Sequence, residues 1–267
     1  MTKDTWEMMV DWRLVLPPSR PSASQLVRWG ERLRELERNV PVAILGSTPE
    51  LRDLLCELGF KDVVLFERNL KFLKAMTALR VTDSVEKVVE GDWLQTLTQA
   101  KNTFGAVLSD LTSGNIPYHG RREFYRAVEG MLARGGVFLD KVLTHGDELR
   151  PVTRLLDRYA SLPVNLLYVN YFSCEVLFCS DLLKVNETVD SSAFYAELDR
   201  ICVSPRLRAF ATQARLITPE QCVWWYGRSW TRLEPNYCPA LIRERVDEDE
   251  STSPYAGNLK FFTLRKP

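Results

Sequence analysis

The chain has 267 residues, enough for one large core, and an ordinary domain carrying an insertion is the expected arrangement. Lys plus Arg equals Asp plus Glu at 35 each, so no net field gathers phosphates and bulk nucleic-acid binding is disfavoured. The six cysteines (Cys56, Cys174, Cys179, Cys202, Cys222, Cys238) form no CxxC pair and the only histidines are His119 and His145, so reduced thiols in a cytoplasmic protein, with no metal site, are expected.

The N-terminal stretch MTKDTWEMMVDWR mixes charged with apolar residues, and no segment approaches about 18 uncharged apolar residues. Neither a signal peptide nor a membrane span is expected. Residues 1–39 are read as a lid or packing segment. From Pro41 to about Asp140, short apolar runs alternate with helical patterns. VPVAILG (Val40 to Gly46) reads as a buried strand, and in PELRDLLCELG the residues Leu51, Leu54, Leu55 and Leu58 fall at helical spacing, ending at Gly59 as a C′ residue. DVVLFE is a second strand, NLKFLKAMTALR a second helix, and VEKVVEGD a short third strand. FGAVLSD is the fourth strand, RREFYRAVEGMLAR the next helix and GGVFLDKVL the fifth strand. Such alternation predicts parallel crossovers and a doubly wound α/β sheet, with 40–180 as its core.

Beyond this core, DELRPVTRLLDRYA predicts a helix and VNLLYVNYFSCEVLFC a pair of strands or one long bent strand. Val185 to Glu234 reads as mostly helical, and VDEDESTSP as a solvated loop. NLKFFTLRK alternates like a final strand. Residues 181–257 are therefore an expected insertion or cap, with 258–267 closing the core.

In a doubly wound sheet the ligand lies beyond the carboxyl ends of the strands. After the first strand stands Gly46, with Ser47 and Glu50 at capping-box spacing or, alternatively, Thr48 as N-cap before Pro49. Either start presents free amides to a polar ligand group. Glu67 ends the second strand 21 positions after Gly46, near the spacing of an acid that binds a ribose diol. Asp92 and Trp93 follow the third strand, where they can meet an exocyclic amine and a purine face. Asp110 ends the fourth.

These residues resemble the class I S-adenosylmethionine-dependent methyltransferases: AILGSTPELRDLL their first motif, VVLFERN their second, VEGDW their third, FGAVLSDLTSGNIPYH their fourth, and MLARGGVFLDKV the turn before the fifth strand. The resemblance covers about Pro41 to Ser180 plus the last ten residues. It implies a Rossmann-like, mostly parallel seven-stranded sheet with a helical insertion before the last strand. It also implies S-adenosyl-L-methionine as donor, held by Gly46, Ser47, Thr48, Glu67, Arg68, Gly91, Asp92, Trp93, Asp110, Leu111 and Thr112. The first motif departs from the family pattern, with Leu45 before a lone glycine and Pro49 in the turn.

A small-molecule acceptor, aromatic or natural-product-like and methylated on O or N, is the expected partner. Tyr118, His119 and His145 are the acceptor-side candidates, the imidazoles as general bases. Asn115-Ile116-Pro117-Tyr118 is similar to a tetrapeptide of rRNA adenine dimethylases, but lies five residues beyond the strand-ending Asp110 and is read as a loop. The aromatic residues Tyr195, Trp224, Trp225, Tyr226, Trp230 and Tyr237 either roof the acceptor or form a core for the cap. The alternatives are an RNA or protein methyltransferase and a non-catalytic S-adenosylmethionine-binding module. A nicotinamide dehydrogenase is disfavoured because GSTPEL lacks the second and third glycines of GxGxxG. Oligomeric state is left open.

Overall fold

The computed structural model describes residues 3–4, 19–144, 149–182, 188–218, 222–226, 237–248 and 255–267. Strand β1 is the dipeptide Lys3–Asp4, and helix α1 spans Ala23–Arg34. Ser22 starts α1 with a full capping box: its hydroxyl accepts from the Gln25 amide while the Gln25 side chain accepts from the Ser22 amide. The first pair of core elements follows as β2 (Val42–Leu45) and α2 (Pro49–Glu57). α2 ends in a Schellman motif, where Phe60 N–H reaches the Leu55 carbonyl and Gly59 N–H the Cys56 carbonyl, with Gly59 at φ +85°.

Next come β3 (Val63–Glu67), α3 (Leu70–Thr77), β4 (Lys87–Glu90), the single-turn α4 (Trp93–Thr96), β5 (Phe104–Asp110) and α5 (Arg121–Met131). β6 (Leu132–Leu143) is followed by α6 (Val152–Tyr159) and α7 (Leu166–Phe178). The remaining elements are β7 (Thr188–Asp190), α8 (Ser191–Ile201), α9 (Pro205–Ile217), β8 (Cys222–Tyr226), β9 (Ile242–Glu248) and β10 (Leu259–Arg265).

Seven strands form one sheet in the order β4-β3-β2-β5-β6-β10-β9. β2 to β6 are mutually parallel, and β10 runs antiparallel to both of its neighbours. The expected α/β, doubly wound, mostly parallel seven-stranded sheet is the fold observed. Its central strands are buried on both faces, which is why they read as unbroken apolar runs rather than alternating ones. Val42, Ile44, Leu65 and Leu108 face α1 and α2 through Trp29, Leu33, Leu51 and Leu55. Ala43, Leu45, Phe66 and Val107 face α5 through Phe124, Val128 and Met131. Each such aliphatic or aromatic side chain contributes about 1.5–3 kcal/mol on burial.

Two expectations change. The run VNLLYVNYFSCEVLFC is the helix α7, capped by Asn165, and not a pair of strands. α7 is covered on two sides: Phe178 packs with the sheet cluster, while Val169, Phe172 and Val176 pack with α8 and α9. A helix buried on two sides lacks the polar stripe that marks the 3.6 period. Second, Val246 to Glu248 complete the edge strand β9, so the core sheet resumes before the expected end of the insertion; only 249–254 of the loop reading lie outside the described residues. The described part of Val185 to Glu234 is mostly helical as expected, through α8 and α9, and it also carries two short strands. β7 and β8 pair antiparallel, and β1 joins β8 in parallel, giving a second, three-stranded sheet.

Among the described residues no helix is long and apolar enough to cross a membrane, and Cys56, Cys174, Cys179, Cys202 and Cys238 are free thiols.

Candidate active site

The carboxyl ends of β2, β3 and β4 meet through backbone bonds. Gly46 N–H donates to the Phe66 carbonyl at 2.9 Å, and Gly91 N–H to the Glu67 carbonyl at 3.3 Å. Gly46 holds φ +109° and Gly91 φ +142°, both in the region that disfavours a Cβ. At Gly91 a Cβ would also stand 2.7 Å from Thr96 Cγ2. The turn after β2 therefore needs one glycine, and Pro49 at N1 of α2 supplies the helix start.

The Thr48/Pro49 start is the one adopted, and the capping box between Ser47 and Glu50 is not formed. Thr48 makes no side-chain cap bond. The Ser47 hydroxyl donates instead to Glu67 Oε2 at 3.1 Å, and Asn69 N–H donates to Glu67 Oε1 at 2.9 Å. Glu67 is 5% exposed, and burial pushes its carboxyl above the usual range against the opposing bonds from Asn69, Ser47 and the Arg68 backbone. A carboxylate fixed by two donors on the first two strand ends is oriented before any ligand arrives. The Arg68 side chain is exposed just beyond it.

Asp92 is exposed and caps α4, its Oδ1 accepting from Leu94 N–H at 2.9 Å. Trp93 does not present a free ring face as expected. Its indole is 8% exposed within the sheet–α5 core, and its Nε1 donates to the Phe66 carbonyl at 2.7 Å. That bond holds the Gly91–Asp92 turn down onto β3. It satisfies the one polar atom of a ring otherwise buried among apolar groups.

Asp110, at the end of β5, is opposite Lys141 of β6 in the ladder. The two side chains form an ion pair at 1% and 0% exposure. Burial raises the Asp110 carboxyl above its ordinary value, with Glu50 adding to the rise and the Lys141 ammonium and Thr48 hydroxyl opposing it. Leu111 then turns the chain at φ +59° and ψ +11°, a left-handed conformation uncommon outside glycine and asparagine. The turn is pinned by Leu111 N–H to the Lys141 carbonyl at 3.0 Å and by the Thr112 hydroxyl to the Leu45 carbonyl at 2.6 Å. Ser109 and Ser113 carry buried hydroxyls with no hydrogen-bond partner among the described residues. β8 runs against the Thr112–Asn115 turn that follows.

Gly46, Ser47, Thr48, Glu67, Gly91 and Asp92 thus lie together on one half of the edge, and Asp110, Leu111 and Thr112 on the other. His119 is exposed on the turn Tyr118–Gly120. The Tyr118 side chain and all of His145 lie outside the described residues. Trp224 to Tyr226 lie in β8, Trp230 lies outside the described residues, and Tyr237 is a core residue whose hydroxyl donates to Asp140 Oδ2 at 2.8 Å. Sequence reasoning missed Lys141. Its signal was a lysine inside the apolar run VFLDKVL, on the strand that lies beside Asp110.

No family model matches the chain, and no curated protein does. Solved structures do match over nearly the whole chain. A Rhodobacter sphaeroides protein carrying the name of a Zn-dependent alcohol dehydrogenase has a TM-score of 0.58 at 13% identity, covering 100% of both chains. The N-methyltransferase NodS of Bradyrhizobium japonicum, in complex with S-adenosylhomocysteine, has a TM-score of 0.55 at 11% identity over 99% of this chain and 100% of that one. The glycopeptide N-methyltransferase MtfA, also with S-adenosylhomocysteine, has a TM-score of 0.53 at 14% identity over 91% and 89%. With the strand order above, these likenesses give the chain the Rossmann-like fold of the class I S-adenosylmethionine-dependent methyltransferases.

Proposed function

We propose that the protein is an S-adenosylmethionine-dependent methyltransferase acting on an O or N atom of a small, planar or natural-product-like molecule in the cytoplasm. The observation that carries the reading is Glu67. It is buried at the end of β3, oriented by Ser47 and the Asn69 amide, and sits beside the Gly46 turn. This arrangement suits a ribose diol, since a carboxylate accepts two hydroxyl hydrogens in parallel. The N-terminus of α2 and the exposed Asp92 on the adjoining turn suit the polar groups on either side of the ribose. NodS and MtfA are both crystallised with S-adenosylhomocysteine, which supports the same ligand here.

The sulfonium methyl is already activated, so the protein's task is alignment of donor and acceptor and exclusion of water. β8 against the Thr112–Asn115 turn supports a roofed acceptor space, and the balanced charge of the chain favours a small molecule over a polyanion. The dehydrogenase name of one structural neighbour finds no support in side chains: among the described residues no three His, Cys, Asp or Glu groups converge as a zinc site requires. The free thiols support a reducing compartment.

Calorimetric titration with S-adenosylhomocysteine and with NAD tests the donor. Saturable binding of the sulfur nucleoside alone is expected, and tight NAD binding without it would overturn the reading. A mass-spectrometric search of a metabolite extract, incubated with protein and labelled donor, for the gain of one methyl identifies the acceptor.

A further inference from the structure

The candidate donor-holding groups stand at the ends of β2 to β5. Two strands away from β5 in the sheet order, a small crevice lies between α1 and the β9–β10 pair. Arg28, Trp29 and Arg32 of α1 line it on one side, and Asp247, Phe261 and Thr263 line it from the sheet. Phe261 and Asp247 are opposite one another in the ladder, so both belong to the face that α1 covers. The cavity measures about 20 Å³. A single water needs about 10–15 Å³ on the same scale, so there is room for the polar head of a small ligand and little more.

Two consecutive residues of α1 bring unused donors to this crevice. Trp29 is 3% exposed, and its Nε1 is buried with no hydrogen-bond partner among the described residues. A buried indole N–H ordinarily finds an acceptor, so an orphan one points to a partner from outside these residues. Arg28 is half-buried, with its guanidinium 5.6 Å from the centre of the Phe261 ring. The other charges at the rim are matched, Arg32 by Glu35 at 2.9 Å and Asp247 by Arg245 at 2.5 Å. Arg28 has no such carboxylate among the described residues. These side chains therefore leave one positive charge unbalanced beside an unused N–H.

We propose that the crevice is a second ligand site, separate from the donor site, that takes the carboxylate of a small organic acid. The Arg28 guanidinium donates to the two carboxylate oxygens, and the Trp29 indole N–H donates to one of them. One negative charge matches the one unbalanced cation. A phosphate dianion would exceed it, because Arg32 and Arg245 are committed to Glu35 and Asp247. The planar guanidinium fork fits a carboxylate in a way that a point cation does not. The rings of Trp29 and Phe261 give the wall an apolar character with few polar groups set in it, which suits the body of such an acid.

The test is a titration followed in proton–nitrogen NMR spectra, where each tryptophan gives one indole N–H signal and Trp29→Phe identifies the one concerned. Benzoate is the probe, and inorganic phosphate is the second arm. Benzoate should shift the Trp29 signal saturably, and Arg28→Met should weaken its binding by about tenfold or more. Arg28→Lys keeps the charge but loses the fork, so it should weaken binding too, and it serves where Arg28→Met fails to fold. S-adenosylhomocysteine affinity in calorimetry should stay within about twofold in both variants, because Arg28 lies outside the donor-holding groups. A Trp29 signal that benzoate leaves unmoved, or a shift that survives both Arg28 variants, overturns the site. A saturable response to phosphate alone overturns the carboxylate. Loss of the sulfur nucleoside together with benzoate overturns the separation of the two sites.

Discussion

The two halves of the sheet edge are built by different means. Around Gly46, Glu67 and Gly91 the site is made of turns: positive-φ glycines, backbone amides and one carboxylate held by near neighbours in the chain or on the next strand. Around Asp110 it is made of tertiary register, with partners from β6, α1 and the start of α2 that are distant in sequence. The first half presents groups that are already oriented. The second keeps its charges satisfied and covered. The edge thus sets a half of fixed, pre-oriented polar groups beside a half whose charges lie buried under α1 and the start of α2.

The sharpest way to break the first half is Gly46→Val. A β-branched residue at φ +109° is strained by about 1–3 kcal/mol even though its Cβ would meet no atom within 4 Å. The backbone shift that relieves it moves the α2 amides and the Glu67 contact together. Binding of S-adenosylhomocysteine should be lost in calorimetry while far-ultraviolet circular dichroism keeps the wild-type shape. Retained affinity would mean that the turn does not approach the ligand.

The second half is broken by Lys141→Met, which leaves the Asp110 carboxylate buried without its cation and should cost about 3–5 kcal/mol in denaturant unfolding. Asp110→Leu/Lys141→Met should recover most of that loss, because the two residues then pack as apolar neighbours. Additive losses in this double-mutant cycle would show that the pair is not a unit.

How far each half was legible follows from the same contrast. Gly46, Glu67 and Asp110 were found from strand ends and spacing, because local sequence decides where a strand stops and a capped helix starts. The seven-strand sheet was legible because apolar runs and helical periods alternate regularly. What escaped depended on tertiary packing. α7 lacks the helical period because the sheet and the cap cover it on two sides, and Trp93 reads locally as a ligand surface because nothing near it in the chain reveals that its indole reaches the Phe66 carbonyl. Lys141 was invisible until β6 was laid beside β5, and the exchange of the Ser47 capping box for a bond to Glu67 needed β3 in place.

Glu67 offers a finer test, because function and stability should move in opposite directions there. Glu67→Ala removes a charge-assisted acceptor and should weaken S-adenosylhomocysteine by about tenfold or more. Glu67→Gln should also weaken it, yet stabilise the ligand-free fold. Burial raises the carboxyl pKa in the folded state, so the folded chain holds its proton more tightly than the unfolded chain. Stability then falls as pH rises through the raised value, and the loss is complete above it. The Tm advantage of Glu67→Gln should therefore be largest at pH 7–8 and shrink as the pH falls toward about 4, the ordinary range for this group. An advantage independent of pH would place the effect in packing.

The smallest expected effect falls on the acceptor side. His119 stands exposed on a turn, so its imidazole lacks the surrounding that would hold it against an acceptor proton. General-base catalysis is worth about 10²–10⁴-fold, and its loss would be unmistakable in kcat. His119→Ala should instead change kcat by less than about threefold. That outcome would leave alignment on the β5 turn as the acceptor half's contribution. A hundredfold drop in kcat would restore the imidazole to the chemistry and show that the turn closes over the acceptor when it binds.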